Sequence, residues 1–257
     1  MWKYLNESVE GTSHQETGAP CQDASFVSPF FIDGDDPLIL VCADGAGSAR
    51  EAKTGATLAC TAVTRSVTQF FEAGNGVKEI AETTLRAWVS AAQAALQAEA
   101  DKLGMPIREL ACTLLVAILG KEAAAFAQIG DGAMVIGDGG KYRPVFWPQS
   151  GEYQNTTFFV TEEQSAQRVQ VSVASHAVEE LAMFTDGLQM LALNYGDKTA
   201  HGPFFAPLFK TLREAADRQD LIVPLRQFLA SPAVNNRTDD DKTLVLATRV
   251  QSVTAGL

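Results

Sequence analysis

The sequence of 257 residues predicts an α+β fold, a four-layer α-β-β-α sandwich with two antiparallel sheets between outer layers of helices. Two observations predict it. The middle of the chain consists of short strand-like segments, and their connections are too short for βαβ crossovers, which need a dozen or more residues. The helical patterns are segregated before and after these strands, as in folds that carry helices on the outer faces of antiparallel sheets.

Two strands are expected near the N-terminus. The apolar segments FVSPFFI (26–32) and LILVCA (38–43) flank DGDDP (33–37), whose Asp, Gly and Pro residues are typical of a turn. The second strand runs into the Gly-rich segment ADGAGSA (43–49). This arrangement predicts two strands joined by a tight connection.

Two long helices should follow. Apolar residues recur at helical spacing from Ala56 to Phe71 and again from Ala81 to Leu96. Alanine, the residue with the highest helix propensity, is abundant in the second segment. Both segments are therefore predicted as helices.

The next part of the chain changes to short apolar segments separated by Gly, Asp or Lys. The predicted strands are TLLVAIL (113–119), AAAFAQI (123–129), AMVIGD (133–138) and KYRPVFW (141–147). Their close spacing suits antiparallel hairpins.

The last third mixes both patterns. One or two weaker strands are expected in 157–174, and LAMFT (181–185) reads as a buried strand. Helical patterns follow around 208–216 and 221–229, and TLVLATRV (243–250) is the final strand.

Composition argues against several functions. The formal net charge of −11 disfavours a nucleic-acid role, which relies on Lys and Arg to neutralise phosphates. The four cysteines form no CxxC pair, so neither a zinc cluster nor a disulfide framework is expected, and the expected location is a reducing cytoplasm. The N-terminus has no apolar signal core, and the longest apolar stretch, Leu110 to Gly120, is too short to span a bilayer. No membrane role is expected.

Several aspartates stand at the ends of predicted apolar strands. Asp44, Asp131 and Asp186 each follow a strand and precede a glycine, Asp240 precedes the final strand, and Asp23 precedes the segment ASFV. Strand ends are rigid points from which side chains of distant segments can converge. A glycine after the acid lets the backbone approach an ion and present a carbonyl oxygen. Taken singly, an Asp-Gly pair is more often a hairpin turn, so the argument depends on the series.

Carboxylates gathered in one pocket repel one another, so they shift their pKa values or bind cations. Ligands that are all oxygen select hard cations such as Mg²⁺ and Mn²⁺ over zinc. The three histidines, His14, His176 and His201, have no metal-ligand spacing. The sequence therefore predicts a site for two or three Mn²⁺ or Mg²⁺ ions.

With these residues in view, the chain resembles the metal-dependent serine/threonine protein phosphatases of type 2C. The segments that carry the resemblance are GTSHQETGAPCQDAS (11–25), LILVCADGAGSAREAKTGA (38–56), LACTLLVAI (110–118), FAQIGDGAMVI (126–136), AMFTDGL (182–188) and DDDKTLVLA (239–247). Each is weakly specific alone, but all six follow the family's order. Because their residues must meet at one site, they imply a single domain over 1–257.

The resemblance also implies roles for individual residues. Asp44 would bridge two metal ions and have a catalytic role, and the Gly45 carbonyl would bind one of the two ions. Asp186 and Asp240 would complete the shell of the first metal. Asp23 would serve the second metal, partly through water.

A third, weaker metal is implied at Asp131, together with Asp186. The implied reaction is hydrolysis of phosphoserine or phosphothreonine on proteins, in which a water whose pKa two cations have lowered attacks phosphorus in line. The partner would be a phosphorylated protein, paired with a serine/threonine kinase, and the enzyme a monomer. The segment of about 194–232 would be the variable flap that helps choose substrates.

Three features depart from the family's pattern. Gln22 stands where the family often has Glu, which removes a charge near the second metal. Ala46 stands where many members have a histidine proposed as general acid, so the proton for a serine leaving group must come from elsewhere. No Arg or Lys lies in 11–23, where the family has a phosphate-binding arginine. His14 is the candidate catalytic substitute for this arginine, and the alternative is that His14 is a plain loop histidine. Backbone N–H groups near 47–49, at the start of the first long helix, are a second candidate for binding phosphate.

Two other functions remain open. GSAREAKT (47–54) nearly fits the P-loop pattern GxxxxGK[ST] of nucleotide hydrolases. However, Ala52 replaces the second glycine of that pattern, and the predicted hairpins conflict with a parallel sheet. Tight ATP binding would favour the P-loop interpretation. A pseudophosphatase that binds a phosphoprotein without turnover is motivated by Gln22 and Ala46. Mn²⁺-dependent hydrolysis of p-nitrophenyl phosphate and of a phosphothreonine peptide would separate it from an active enzyme.

Overall fold

A computed structural model describes residues 1–32, 34–149 and 157–250. It contains two five-stranded sheets. The first sheet has, in spatial order, β1 (Trp2–Val9), β12 (Lys242–Arg249), β9 (Glu180–Phe184), β6 (Ala133–Asp138) and β7 (Lys141–Pro144). The second sheet has β2 (Ala24–Pro29), β3 (Leu38–Ala43), β4 (Leu114–Leu119), β5 (Ala124–Ile129) and β8 (Gln170–Ala174). A separate two-stranded ladder joins β10 (Leu193–Asn194) to β11 (Thr199–Ala200).

Helices cover the outer face of each sheet. The second sheet packs against the long helices α2 (Ala52–Glu72) and α3 (Glu82–Leu103), and the first against α6 (Gly202–Glu214) and α7 (Ile222–Leu229). The shorter helices are α1 (Thr12–Thr17), α4 (Ser165–Arg168), α5 (Gln189–Ala192) and α8 (Pro232–Asn235). The predicted α-β-β-α sandwich is confirmed.

The central strands are buried on both faces. In β3, Leu38, Leu40 and Cys42 pack between the two sheets, whereas Ile39 and Val41 pack against the helices. A strand covered on both faces needs apolar residues at every position, which is why LILVCA is a continuous apolar run and does not alternate.

All the strand pairs in the two five-stranded sheets are antiparallel over the described residues. The P-loop alternative required a parallel sheet and is therefore wrong. β4 pairs with β5, and β6 with β7, as the short connections predicted. β5 and β6 do not form the expected hairpin, because the chain crosses from one sheet to the other through Gly130, Asp131 and Gly132.

Other differences lie at the edges of the structure. β1 was not predicted, because its sequence, WKYLNESV, lacks an apolar run. In the structure most residues of this strand are half-buried. It pairs along its whole length with β12. The segment 157–174, where one or two weaker strands were expected, contains one, β8, which is preceded by α4. Part of the predicted turn at 33–37 lies outside the described residues, because Asp33 is not among them.

The segment expected to be a flap, 194–232, consists mainly of α6 and α7. Phe205, Phe209 and Leu229 from these helices are fully buried in the core beneath the first sheet. Most of this segment is therefore a structural layer. The β10–β11 hairpin at its start is largely exposed, and so are residues 216–220 between α6 and α7.

The cysteines are all free, and Cys42, Cys60 and Cys112 are buried. Among the residues described, no helix combines the length and the apolar character needed to cross a membrane.

One glycine in α2 is required by packing. A Cβ on Gly55 would lie 2.2 Å from the backbone oxygen of Leu110, which cannot withdraw as a flexible side chain could. We expect Gly55→Ala to lower the free energy of unfolding by about 2–3 kcal/mol, measured by urea denaturation. Gly196→Ala is the matched control, because a Cβ there meets no atom within 4 Å. Equal denaturation midpoints for the two variants would contradict this close contact.

Candidate metal centre

Three carboxylates from different parts of the chain meet at one end of the sandwich. Asp44 follows β3, Asp131 follows β5 and Asp186 follows β9. One carboxylate oxygen from each lies within 4.8 Å of those of the other two. β3 and β5 belong to the second sheet and β9 to the first, so the strand ends of both sheets contribute to one cluster. We call Asp44, Asp131 and Asp186 the carboxylate cluster.

The backbone around Asp44 is fixed by β4 and by the start of α2. Its N–H donates to Thr113 Oγ1 at 3.0 Å, and the Thr113 N–H donates to the Asp44 carbonyl at 2.8 Å. A Cβ on Gly45 would lie 2.6 Å from the backbone oxygen of Ala52, so only glycine fits this close approach. Packing therefore accounts for the Asp-Gly pair here, in addition to the metal-binding role that the sequence predicts.

Asp131 lies where the chain crosses between the sheets. Gly130, with φ of +105°, makes the turn before it, and its N–H donates to Gln149 Oε1 at 2.8 Å. The Asp131 carbonyl accepts a hydrogen bond from Gln189 Nε2, and the Tyr195 hydroxyl donates to Gln189 Oε1. Burial and the nearby Asp131 and Asp186 carboxylates raise the pKa of Tyr195. The exposed β10–β11 hairpin is thus linked to the rim of the carboxylate cluster.

Asp23 lies outside the carboxylate cluster but next to it. It is buried, and its Oδ2 accepts hydrogen bonds from Thr185 Oγ1 at 2.8 Å and Thr243 Oγ1 at 2.7 Å. Its Oδ1 is buried without a hydrogen-bond partner in the described structure. Thr185 and Thr243 had not been singled out in the sequence, where a lone threonine before Asp186 or inside a strand gives no signal.

Asp240 also lies outside the carboxylate cluster, at the start of β12. Its Oδ1 accepts a hydrogen bond from the Asp241 N–H at 2.8 Å. Burial of the carboxylate raises its pKa, the negative charge of Asp241 adds to the effect, and the nearby His14 ring opposes it. The structure therefore brings carboxylate oxygens of Asp44, Asp131 and Asp186 within 4.8 Å of one another, and the charges of Asp23 and Asp240 lie close enough to raise the pKa of Asp44.

The five carboxylates have raised pKa values, and burial is the largest cause for each of them. The pKa of Asp23 and that of Asp186 rise to about 7, and that of Asp44 rises well above its ordinary value. Repulsion from neighbouring carboxylates adds to burial for Asp23, Asp44 and Asp186. Such groups are stabilised in the ionised form by a bound cation.

The donor set fits a hard divalent cation. The Asp23 Oδ1 and Asp186 Oδ1 atoms are buried and have no hydrogen-bond partner among the described residues, although buried oxygens normally have one. The three oxygens that come within 4.8 Å of one another are all carboxylate oxygens, the ligand type that Mg²⁺ and Mn²⁺ prefer. No histidine or cysteine belongs to the carboxylate cluster.

His14 lies on the short helix α1, close to β12. Its Nδ1 is 2.9 Å from Asp241 Oδ1, and its side chain is 17% exposed. Asp241, which is buried, was not selected in the sequence because its neighbour Asp240 matched the family's metal position. His14 is therefore part of a hydrogen-bonded pair next to Asp240, not an unattached loop residue.

The turn after Gly45 differs from the expectation for 47–49. Helix α2 begins at Ala52, three residues beyond this segment. The Ala49 N–H already donates to the Ala46 carbonyl at 2.8 Å, and the Arg50 N–H donates to Glu109 Oε2 at 3.2 Å. The segment is therefore not the N-terminus of α2, and the Ala49 N–H is engaged within its own turn.

The sandwich and the carboxylate cluster define the class of protein: two antiparallel sheets whose strand ends form an all-oxygen site for divalent cations. A family model described as protein phosphatase 2C matches residues 10–229. Serine/threonine-protein phosphatase 3 of Escherichia coli (strain K12) is 38% identical over 250 residues, which cover 96% of this chain and 98% of that relative. The chain belongs to the protein phosphatase 2C family.

Solved structures with lower sequence identity have the same fold. The catalytic domain of the serine/threonine protein phosphatase PstP, in complex with two manganese ions, matches with a TM-score of 0.64 at 14% identity, covering 97% of this chain and 99% of that one. A serine/threonine phosphatase from Staphylococcus aureus matches with a TM-score of 0.63 at 18% identity, covering 98% and 96%.

Proposed function

We propose that this protein hydrolyses phosphoserine and phosphothreonine on other proteins, in a reaction that depends on Mn²⁺ or Mg²⁺. The observation that carries the proposal is the carboxylate cluster, with oxygens within 4.8 Å of one another and with an Asp186 Oδ1 that has no hydrogen-bond partner among the described residues. Membership of the protein phosphatase 2C family and the name of the Escherichia coli relative support the same reaction.

The cations are held, in this proposal, by the carboxylates of Asp44, Asp131 and Asp186 and by those of Asp23 and Asp240, which surround them. The Gly45 carbonyl is a further ligand. Asp44 would be the ligand shared between the ions, in keeping with its position beside Asp186 and with the rise of its pKa, which burial causes first and the other four carboxylates increase. Two or three ions bind. Divalent cations supply a water of lowered pKa and neutralise charge on the phosphoryl oxygens.

The protein's own contribution begins with fixed ligand positions. Thr185 and Thr243 hold one oxygen of Asp23, and the other has no hydrogen-bond partner in the part of the chain that the structure describes. The mutual hydrogen bonds of Asp44 and Thr113 fix the turn that carries Asp44. Ligands held in this way need little reorganisation when a cation binds, which favours affinity and defined geometry.

In this proposal, residues at the rim of the metal centre select the substrate. The 194–232 segment was expected to be a flap, and the β10–β11 hairpin, one of its exposed parts, carries Tyr195. This tyrosine stacks edge-on against Trp147, with ring centroids 5.2 Å apart, and is linked through Gln189 to Asp131. An aromatic surface beside a phosphate site suits the side chains that flank a phosphorylated residue in a protein. The substrate is a phosphoprotein. The enzyme is paired with a serine/threonine kinase and acts as a cytoplasmic monomer.

The alternative of a pseudophosphatase rests on Gln22 and Ala46, which replace residues usual in the family. An assay with Mn²⁺ on p-nitrophenyl phosphate and on a phosphothreonine peptide tests the proposed function. We expect turnover of both substrates, and we expect a chelator to abolish it. Binding of the phosphopeptide without turnover, in protein loaded with Mn²⁺, would favour the pseudophosphatase.

His14 is proposed to contact the phosphoryl group, in place of the arginine that the family usually supplies. We expect His14→Ala to lower kcat or raise KM several-fold on the phosphothreonine peptide, because an imidazole N–H to a phosphoryl oxygen is a charge-assisted hydrogen bond. Steady-state kinetics at saturating Mn²⁺ measures this. His201→Ala is the control, since His201 lies at the start of α6 and was assigned no role in the site. Unchanged kinetics in His14→Ala would mean that His14 has no role in the reaction.

A further inference from the structure

The carboxylate of Asp241 holds three points of the segment that carries His14. Its Oδ1 accepts hydrogen bonds from the Gly11 N–H at 2.7 Å and from His14 at 2.9 Å, and its Oδ2 accepts one from the Gln22 N–H at 2.6 Å. The Asp241 side chain is only 2% exposed. A buried carboxylate with several N–H donors fixes the groups that it contacts.

The same contacts define the state of the His14 ring. Because backbone N–H groups donate to both oxygens of Asp241, both oxygens act as acceptors, and Nδ1 of His14 must be the donor in their contact. The hydrogen bond from the Asp241 N–H to Asp240 Oδ1 places this ring beside a proposed metal ligand. Nε2 is then the nitrogen left for a substrate, and the 17% exposure of the side chain leaves the ring accessible.

We propose that Asp241 is a positioning residue that acts through His14: it fixes the ring orientation and keeps a proton on Nδ1, so that Nε2 faces the phosphoryl group and donates to it when this nitrogen also carries a proton. This inference rests on the proposed function. Partners that orient a metal-ligating histidine through its other ring nitrogen typically contribute about 10- to 100-fold to metal affinity or activity, and we expect an effect of that order for His14.

The first experiment measures kinetics of Asp241→Asn, His14→Ala and the double variant on a phosphothreonine peptide. An amide cannot offer acceptors at both ends of the group, so Asp241→Asn loses the defined contact. We expect it to lower kcat/KM about 10-fold or more, and the double variant to be no lower than the worse single variant. Losses that multiply in the double variant, or full activity of Asp241→Asn, would overturn the proposal.

Ser13→Ala is the matched control. Ser13 is next to His14, and its Oγ donates to the Asp239 carbonyl at 2.8 Å, so the variant loosens the same segment without touching the Asp241–His14 pair. Its activity is expected to stay close to that of the unaltered protein. If Ser13→Ala lost as much activity as Asp241→Asn, a general anchoring role for this segment would replace the proposal.

The second experiment measures the ring tautomer directly by ¹⁵N NMR of the histidine side chains in the metal-free protein. The chain has three histidines, and the His14→Ala variant identifies the signals of His14. We expect the Nδ1–H form in the unaltered protein, lost in Asp241→Asn. An Nε2–H form in the unaltered protein would overturn the proposal, even if Asp241→Asn failed to fold. Absence of Mn²⁺-dependent turnover would instead refute the proposed function and leave the tautomer result intact.

Discussion

Asp44→Asn and Asp186→Asn are each expected to lose about 10³-fold or more of the metal-dependent hydrolysis of p-nitrophenyl phosphate. Each substitution replaces an anionic ligand of the carboxylate cluster by a neutral one of the same shape. Charge neutralisation by bound cations is worth several kcal/mol in the transition state, and about 1.4 kcal/mol corresponds to a tenfold change in rate. The measurement is the Mn²⁺-dependent rate of each variant, together with its affinity for Mn²⁺ by calorimetry.

Both variants should remain folded, and this separates loss of the site from loss of the structure. Asp44 and Asp186 have raised pKa values because of burial and neighbouring carboxylates, so a neutral amide relieves repulsion in the metal-free protein. Thermal unfolding in chelator should therefore give a midpoint equal to or above that of the unaltered protein.

Asp138→Asn is the matched control for these variants. Asp138 also precedes a glycine at a strand end, but it is the exposed last residue of β6, next to the turn into β7 and away from the carboxylate cluster. Its rate and Mn²⁺ affinity should not change. Full metal-dependent turnover in either Asp44→Asn or Asp186→Asn would mean that the ligand assignment of that residue is wrong.

The contrast between Asp138 and Asp131 also explains how far the sequence could predict the site. Both precede a glycine after an apolar strand, and nothing local distinguishes them. What separates them is that the chain turns back into the same sheet at Asp138 but crosses to the other sheet at Asp131. Short spacing between strands predicts hairpins in both cases, so the crossing could be inferred only from the order of the six family-like segments.

The sequence did not reveal the residues that hold the predicted site residues in position. Thr185 and Thr243 hold Asp23, and Asp241 holds His14, through contacts that join residues 162 to 227 positions apart. Apolar periodicity predicts which face of a strand is buried, but it carries no information on which hydroxyl meets which carboxylate. β1 was missed for a related reason: its pairing with β12, and not an apolar run of its own, makes it a strand.

In the metal-free protein, the free energy of unfolding is expected to fall as the pH rises from about 4 towards 7. The pKa values of Asp23 and Asp186 rise from 3.8 to about 7 in the folded protein, chiefly through burial. Between these values the folded chain retains protons that the unfolded chain has released. Stability therefore decreases with pH in this interval, and above about 7 the loss from these two groups is complete.

Mn²⁺ should reverse this loss, because a cation binds the ionised carboxylates of the folded chain. The stabilisation grows with metal concentration and reaches about 2.7 kcal/mol at 100 times the Kd. Since protons compete with the cation for the same oxygens, the increase in Tm caused by Mn²⁺ should be small at pH 5 and larger at pH 8. Thermal unfolding in chelator and in Mn²⁺, at each pH, measures both effects.

Other ionisable groups also contribute to the pH dependence of stability, so the informative quantity is the difference between variants. Asp186→Asn removes one of the two carboxyl groups whose pKa rises to about 7, and it should flatten the metal-free decline between pH 4 and 7 and reduce the Mn²⁺-induced increase in Tm. Asp138→Asn should reproduce the unaltered protein in both respects. If the unaltered protein and Asp186→Asn showed the same pH dependence in chelator and the same response to Mn²⁺, the Asp186 carboxylate would be neither strained by its neighbours nor a ligand, and the proposed centre would have to be abandoned.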